Sequence, residues 1–121
     1  MGQTIADAQR KAPKEEKNPR THNCEIKVWP TGVAVSPCLL HVMEEDHIVW
    51  RITEPNEGIE ARIVLPDPEA TNPGSELSVT PNQPREVVAA KAGDYAYTVS
   101  AWQGEFAPVS GMSVLIIGRG P

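Results

Sequence analysis

The sequence predicts an all-β fold, a two-sheet antiparallel Greek-key sandwich of about seven short strands. Three observations lead there. The chain has 121 residues, enough for one domain with one core. Its 12 Pro and 9 Gly are spread along the chain, which suits many short strands joined by turns and opposes long helices. From Cys24 onward, apolar and polar residues alternate with period two in several segments bounded by turn residues.

Residues 1–23 lack that alternation and are expected to be a flexible polar arm, with residues 24–121 forming the sandwich. Within the arm, residues 4–12 suit one or two helical turns with Thr4 as N-cap, before Pro13 and Pro19 break them. The arm holds five Lys/Arg against three Asp/Glu, a net charge of +2. The rest holds six against thirteen, a net charge of −7. An acidic body argues against nucleic acid as the main partner, because phosphate binding needs a positive field.

In the body, Glu25-Ile26-Lys27-Val28-Trp29 alternates as a half-buried strand should. Pro30-Thr31-Gly32 turns the chain. Residues 33–35 and 38–43 read as one broken strand, with Pro37 at a bend or edge. Glu44-Glu45-Asp46 reads as a solvated acidic turn. His47-Ile48-Val49-Trp50-Arg51-Ile52 is the clearest strand; Ile48, Trp50 and Ile52 share a face, and Trp50 is the expected centre of the core. Pro55-Asn56-Glu57-Gly58 is a turn, residues 61–65 a strand, and residues 66–84, with five prolines, a long irregular connection. Residues 85–90 form a short strand. Residues 92–100 enter a strand in which Tyr95, Tyr97 and Val99 face the core. A loop over residues 101–110 leads to the closing strand 111–117. Trp29, beside Pro30, is expected at a sheet edge.

The last thirty residues carry a family resemblance. Ala92-Gly93-Asp94-Tyr95-Ala96-Tyr97 is similar to the Gly-x-Tyr-x-Tyr/Phe segment of the cupredoxins, the blue-copper sandwich family. Glu45-Asp46-His47-Ile48-Val49-Trp50 and Arg85-Glu86-Val87-Val88 resemble two of its other strands. The likeness covers roughly residues 25–118 and implies the cupredoxin fold; an immunoglobulin-like sandwich is the competing one. In that family the last loop carries a Cys, a His and a Met that bind copper. Here Val99 stands at the matching Cys place and Trp102 at the matching His place, and only Met112 remains. The family's other His would fall near residues 59–62, where there is none. A blue-copper site needs two imidazoles and a thiolate, so copper electron transfer is rejected and no cofactor is expected.

The family uses the end of that loop for partner docking. Trp102, Phe106, Pro108 and Met112 therefore read in two ways: as a partner-binding patch, or as apolar side chains plugging the open end of the sandwich. The first makes the chain a non-catalytic protein-binding or assembly module, whose partner is another protein or a second copy. The alternative is a zinc- or copper-binding protein using His22, Cys24, Cys38 and His41. Against it stands the reading of a buried Cys38, an edge His41 and a free Cys24. An enzyme is not expected: His47 follows three acids, but no nucleophile pairs with it. A sugar stacked on Trp102 is a further open reading.

No apolar run reaches membrane length, so no membrane insertion is expected. Residues 1–6 lack a secretory h-region, and Ala6 stands where myristoylation of Gly2 needs Ser or Thr. The expectation is a cytoplasmic protein with Cys24 and Cys38 reduced. Export, if Met1 is not the biological start, would allow the two to pair.

Overall fold

A computed structural model of the chain describes residues 19–55 and 57–120. Most of the expected arm, including the segment 4–12, lies outside the described residues. Ten strands run through the rest, and no helix occurs among the described residues. In chain order they are β1 (Thr21–Trp29), β2 (Gly32–Ser36), β3 (Leu39–Met43), β4 (His47–Glu54), β5 (Ile59–Val64), β6 (Thr71–Asn72), β7 (Glu76–Val79), β8 (Arg85–Ala89), β9 (Gly93–Gln103) and β10 (Val109–Gly118).

They form a sandwich of two five-stranded sheets. The first has the order β2-β1-β4-β8-β6, the second β3-β10-β9-β5-β7. Pairing is antiparallel except for β1 with β4 and β3 with β10, which are parallel. The expected two-sheet sandwich is present, with three differences. The 33–43 segment is two strands in opposite sheets. The connection 66–84 contains β6 and β7, each short enough to fit between prolines. β9 runs on to Gln103, so the last loop shrinks to residues 104–108. In addition, β1 starts at Thr21, pairing Thr21, His22 and Asn23 with His47, Ile48 and Val49.

Period-two alternation builds the core. Ile48, Trp50 and Ile52 of β4 point inward, as do Cys24, Ile26 and Val28 of β1. From the facing sheet come Tyr95, Tyr97, Val99 and Ala101 of β9 and Leu115 and Ile117 of β10. Trp50 is fully buried and meets Tyr97 edge-on, with ring centroids 5.9 Å apart at 72°. Its indole N–H donates to the Tyr97 hydroxyl at 3.4 Å. Burial pushes the Tyr97 phenol up to about 12, against the opposing effect of that N–H. The aromatic pair thus bridges the sheets and keeps its polar atoms partnered.

The acidic turn is a clamp rather than a solvated corner. Glu45 takes a left-handed backbone conformation, φ 78°. Its N–H donates to the Ala89 carbonyl at 2.7 Å, and the Glu44 N–H to that of Gly118 at 2.9 Å. The Glu44 carboxylate accepts the N–H groups of Gly120 (2.8 Å) and Ala92 (3.2 Å). Buried Asp46 accepts the N–H groups of Arg20 (3.0 Å) and Met43 (3.1 Å). Three consecutive acids therefore join β1, β8, β9 and β10 at one end of the sandwich. The loops 30–31 and 104–108 lie at the other end.

Candidate functional site

The candidate site is built on β9, β10 and the loop between them. Parity decides which way its side chains face. Tyr95, Tyr97, Val99 and Ala101 alternate inward, so Trp102 must point outward. It is 41% exposed, sits opposite Glu60 of β5, and has the Arg62 guanidinium carbon 6.0 Å from its ring centroid. That places a cation over an aromatic face. Gly104, at φ 57°, turns the chain, and the Phe106 N–H donates to the Gln103 carbonyl at 3.0 Å. Phe106 at the loop tip is 57% exposed, and Pro108 is exposed too. Met112, opposite Thr98 on β10, is 70% exposed. Trp102 and Met112 thus face outward from the same sheet, Met112 farther from the loop than Trp102, and Phe106 and Pro108 are exposed in the loop itself. All four are exposed rather than buried between the sheets. Beside them, the Gln103 side-chain oxygen is buried without a hydrogen-bond partner.

Trp102 is a strand residue, which corrects its expected place in a 101–110 loop. Met112, the one ligand-type residue the resemblance leaves, faces outward, while Val99 at the matching Cys place is fully buried. The two sit on opposite sides of their sheet.

The alternative metal set is not assembled. Cys24 is fully buried on β1, where burial pushes its thiol up to about 12. Cys38 is exposed ahead of β3, which corrects the expectation that it is buried, and both cysteines are free. His41 is exposed on β3. His22 donates its Nε2–H to Asp46 at 2.9 Å. No group of three or more His, Cys, Asp or Glu is placed to hold a metal ion among the described residues.

The carboxylate partner of His47 comes from elsewhere than the sequence suggests. Its Nδ1–H donates to Glu86 of β8 at 2.5 Å, while Asp46 serves His22. Burial pushes the Asp46 carboxyl up, but the Arg20 and Met43 N–H groups and His22 outweigh it, leaving the group below its ordinary value. Both histidines are therefore held by acids on neighbouring elements and tie strands together.

Solved structures of known proteins share this architecture. A purple cupredoxin from Nitrosopumilus maritimus superposes with a TM-score of 0.52 at 12% identity, over 80% of this chain and 99% of its own. A cysteine protease inhibitor from Entamoeba histolytica gives 0.50 at 11%, over 83% and 97%. A pseudoazurin from Sinorhizobium gives 0.47 at 13%, over 84% and 76%. No family model and no curated protein sequence matches the chain. The fold is cupredoxin-like, and identities this low show the fold alone. Among the described residues, no helix is long and apolar enough to cross a membrane.

Proposed function

We propose that this chain is a non-catalytic binding module: a cupredoxin-like sandwich without copper that docks another protein at the loop end of β9 and β10. The observation that supports it best is the exposure of Trp102, Phe106, Pro108 and Met112 together. Isolated apolar side chains on a surface need no explanation, but a cluster of large ones marks a contact site. Trp is favoured as an interface anchor. The arm 1–23, with its net positive charge, is a second contact for an acidic partner surface. Two free thiols suit a reducing compartment, and we place the protein in the cytoplasm on that ground.

The test is a Trp102→Ala, Phe106→Ala double variant carried through partner capture and thermal melting. Capture should be abolished and the melt nearly unchanged. Unchanged capture, or a double variant that unfolds, defeats the proposal.

A further inference from the structure

The chain enters the sandwich at an open sheet edge. β3 is the outermost strand of the second sheet. At its two ends the Val114 N–H donates to the Cys38 carbonyl and the Glu44 N–H to the Gly118 carbonyl, so even-numbered residues of this stretch turn towards β10. Met43 therefore turns its N–H to the free edge, where Asp46 accepts it at 3.1 Å. The other oxygen of that carboxylate accepts the Arg20 N–H at 3.0 Å, and the Arg20 carbonyl accepts the His47 N–H at 2.7 Å. The point from which residues 1–18 extend is thus fixed beside the end of β3.

The two outer faces of the sandwich differ in charge. On the first sheet, Glu25 and Glu86 are matched by Lys27 and Arg51; Glu86 already holds His47, and Glu25 lies opposite Arg51. On the second sheet, Glu60, Glu76 and Asp94 face outward against Arg62 alone. That acidic face adjoins the exit of the arm. Asp94 pairs in register with Ile116, and Ile116 with His41, two residues before Met43. Leu39, Met43, Val114 and Ile116 lie on the same face as partly or fully exposed apolar positions, interrupted by His41.

We infer that residues 1–18 of the same chain lie across the outer face of the second sheet. Charge selects that occupant. Arg10, Lys11, Lys14 and Lys17 outnumber the segment's three acids, whereas the rest of the chain is acidic. Of the two outer faces, the second is the one whose acids outnumber its cations, so it draws a cationic segment where the first does not. Tethering sets a local concentration on the order of millimolar, so contacts too weak to hold a free partner suffice. Length agrees as well. From Met43 to Glu76 the face measures ~19 Å across four strand spacings and ~20 Å along six residues of strand. Residues 13–19 extended span up to ~23 Å, and residues 4–12 add ~13 Å even as helical turns. Lys17 and Lys14, nearest the exit, then fall by Asp94, and Arg10 and Lys11 by Glu76 and Glu60. Ile5, Ala8 and Ala12, at the spacing of one helical face, give the segment an apolar side for the exposed apolar positions.

The inference goes beyond the binding-module reading, since it needs no partner, and its failure leaves loop docking to its own capture test. The experiment is paramagnetic relaxation NMR on the full chain. A nitroxide is attached at Ala8→Cys in a Cys38→Ser background; Cys24 is buried and stays unlabelled. The expected result is loss of amide intensity at outward residues of β5, β9 and β10, with β1, β4 and β8 unaffected. Reversing the arm's cations together (Arg10→Glu, Lys11→Glu, Lys14→Glu and Lys17→Glu) should abolish that pattern, and raised salt should weaken it. Equal broadening of both sheets, or broadening confined to the first, overturns the inference. So does a pattern that survives charge reversal. A mixture of nitroxide-bearing and isotope-labelled chains tests for a second copy: broadening there as strong as within one chain also overturns it.

Discussion

Asp46 is the side chain whose removal should disturb the fold most for the fewest atoms. It is buried and accepts three hydrogen bonds, from the Arg20 and Met43 amides and from His22. Hydrogen bonds to a charged group contribute about 1.5–3 kcal/mol each, and buried donors left without a partner cost a similar amount. Water can reach the site once the side chain is cut back, so the three do not sum fully. Asp46→Ala should cost about 3–5 kcal/mol, and Asp46→Asn, which keeps one acceptor but turns an NH₂ towards a donor, about 1–3 kcal/mol. For a body of this size each kcal/mol lowers the melting temperature by about 4–8 °C. Urea denaturation and calorimetry of both variants measure this directly. Acid supplies an independent readout. The folded carboxyl lies below its ordinary value, so its contribution is present above the unfolded pKa of about 3.9 and is lost as pH falls through the folded value. Asp46→Ala should flatten that acid limb. Both variants melting within ~2 °C of wild type, with the acid limb intact, would refute the clamp.

Four further outcomes follow from the structure. Gly111→Ala puts a Cβ 2.6 Å from the Val33 carbonyl oxygen, and should cost about 1–3 kcal/mol in urea titration by forcing β2 off β10. Glu45→Gly relieves a left-handed backbone and should be neutral or stabilising by up to ~1 kcal/mol; a large loss would show that the Glu45 side chain matters instead. Trp50→Ala should cost about 3–5 kcal/mol and abolish the cooperative melt. With an alkylating reagent near pH 8, Cys38 should react in the native state and Cys24 only after denaturant, because Cys24 is buried and its thiol is pushed up to about 12. Mass mapping distinguishes the two.

Much of the sandwich can be read along the chain because its strands obey period two. Ile48, Trp50 and Ile52 declare an inward face, and Tyr95, Tyr97 and Val99 declare its counterpart. The same rule, carried two residues further, predicts both Trp102 pointing out and Ala101 pointing in. The loop-like sequence Gln103-Gly104-Glu105 hides that extension. Cys24 belongs to the inward series with Ile26 and Val28, so its burial is also a matter of parity. β6 and β7 are concealed among prolines: the two residues of β6 leave no periodic signal, and the four of β7 leave only a brief one.

What no local pattern reveals is the acidic clamp. Asp46 meets Arg20 across 26 residues, and Glu44 reaches Ala92 and Gly120 across 48 and 76. In sequence, Glu44-Glu45-Asp46 has the composition of any exposed turn. Only the closing of both sheets at that end supplies the amides that need carboxylates. The apolar outer strip is similarly hidden, because Leu39, Met43, Val114 and Ile116 look like core residues until the pairing of β3 with β10 fixes their side of the sheet.

We propose that this cupredoxin-like sandwich serves for docking and not as a metal centre. Native mass spectrometry of the full chain, purified without chelator and paired with elemental analysis, tests it most directly. The expected mass is that of the bare polypeptide, as monomer or dimer, with copper and zinc far below one per chain. A copper or zinc ion bound near one per chain and surviving desalting would contradict it.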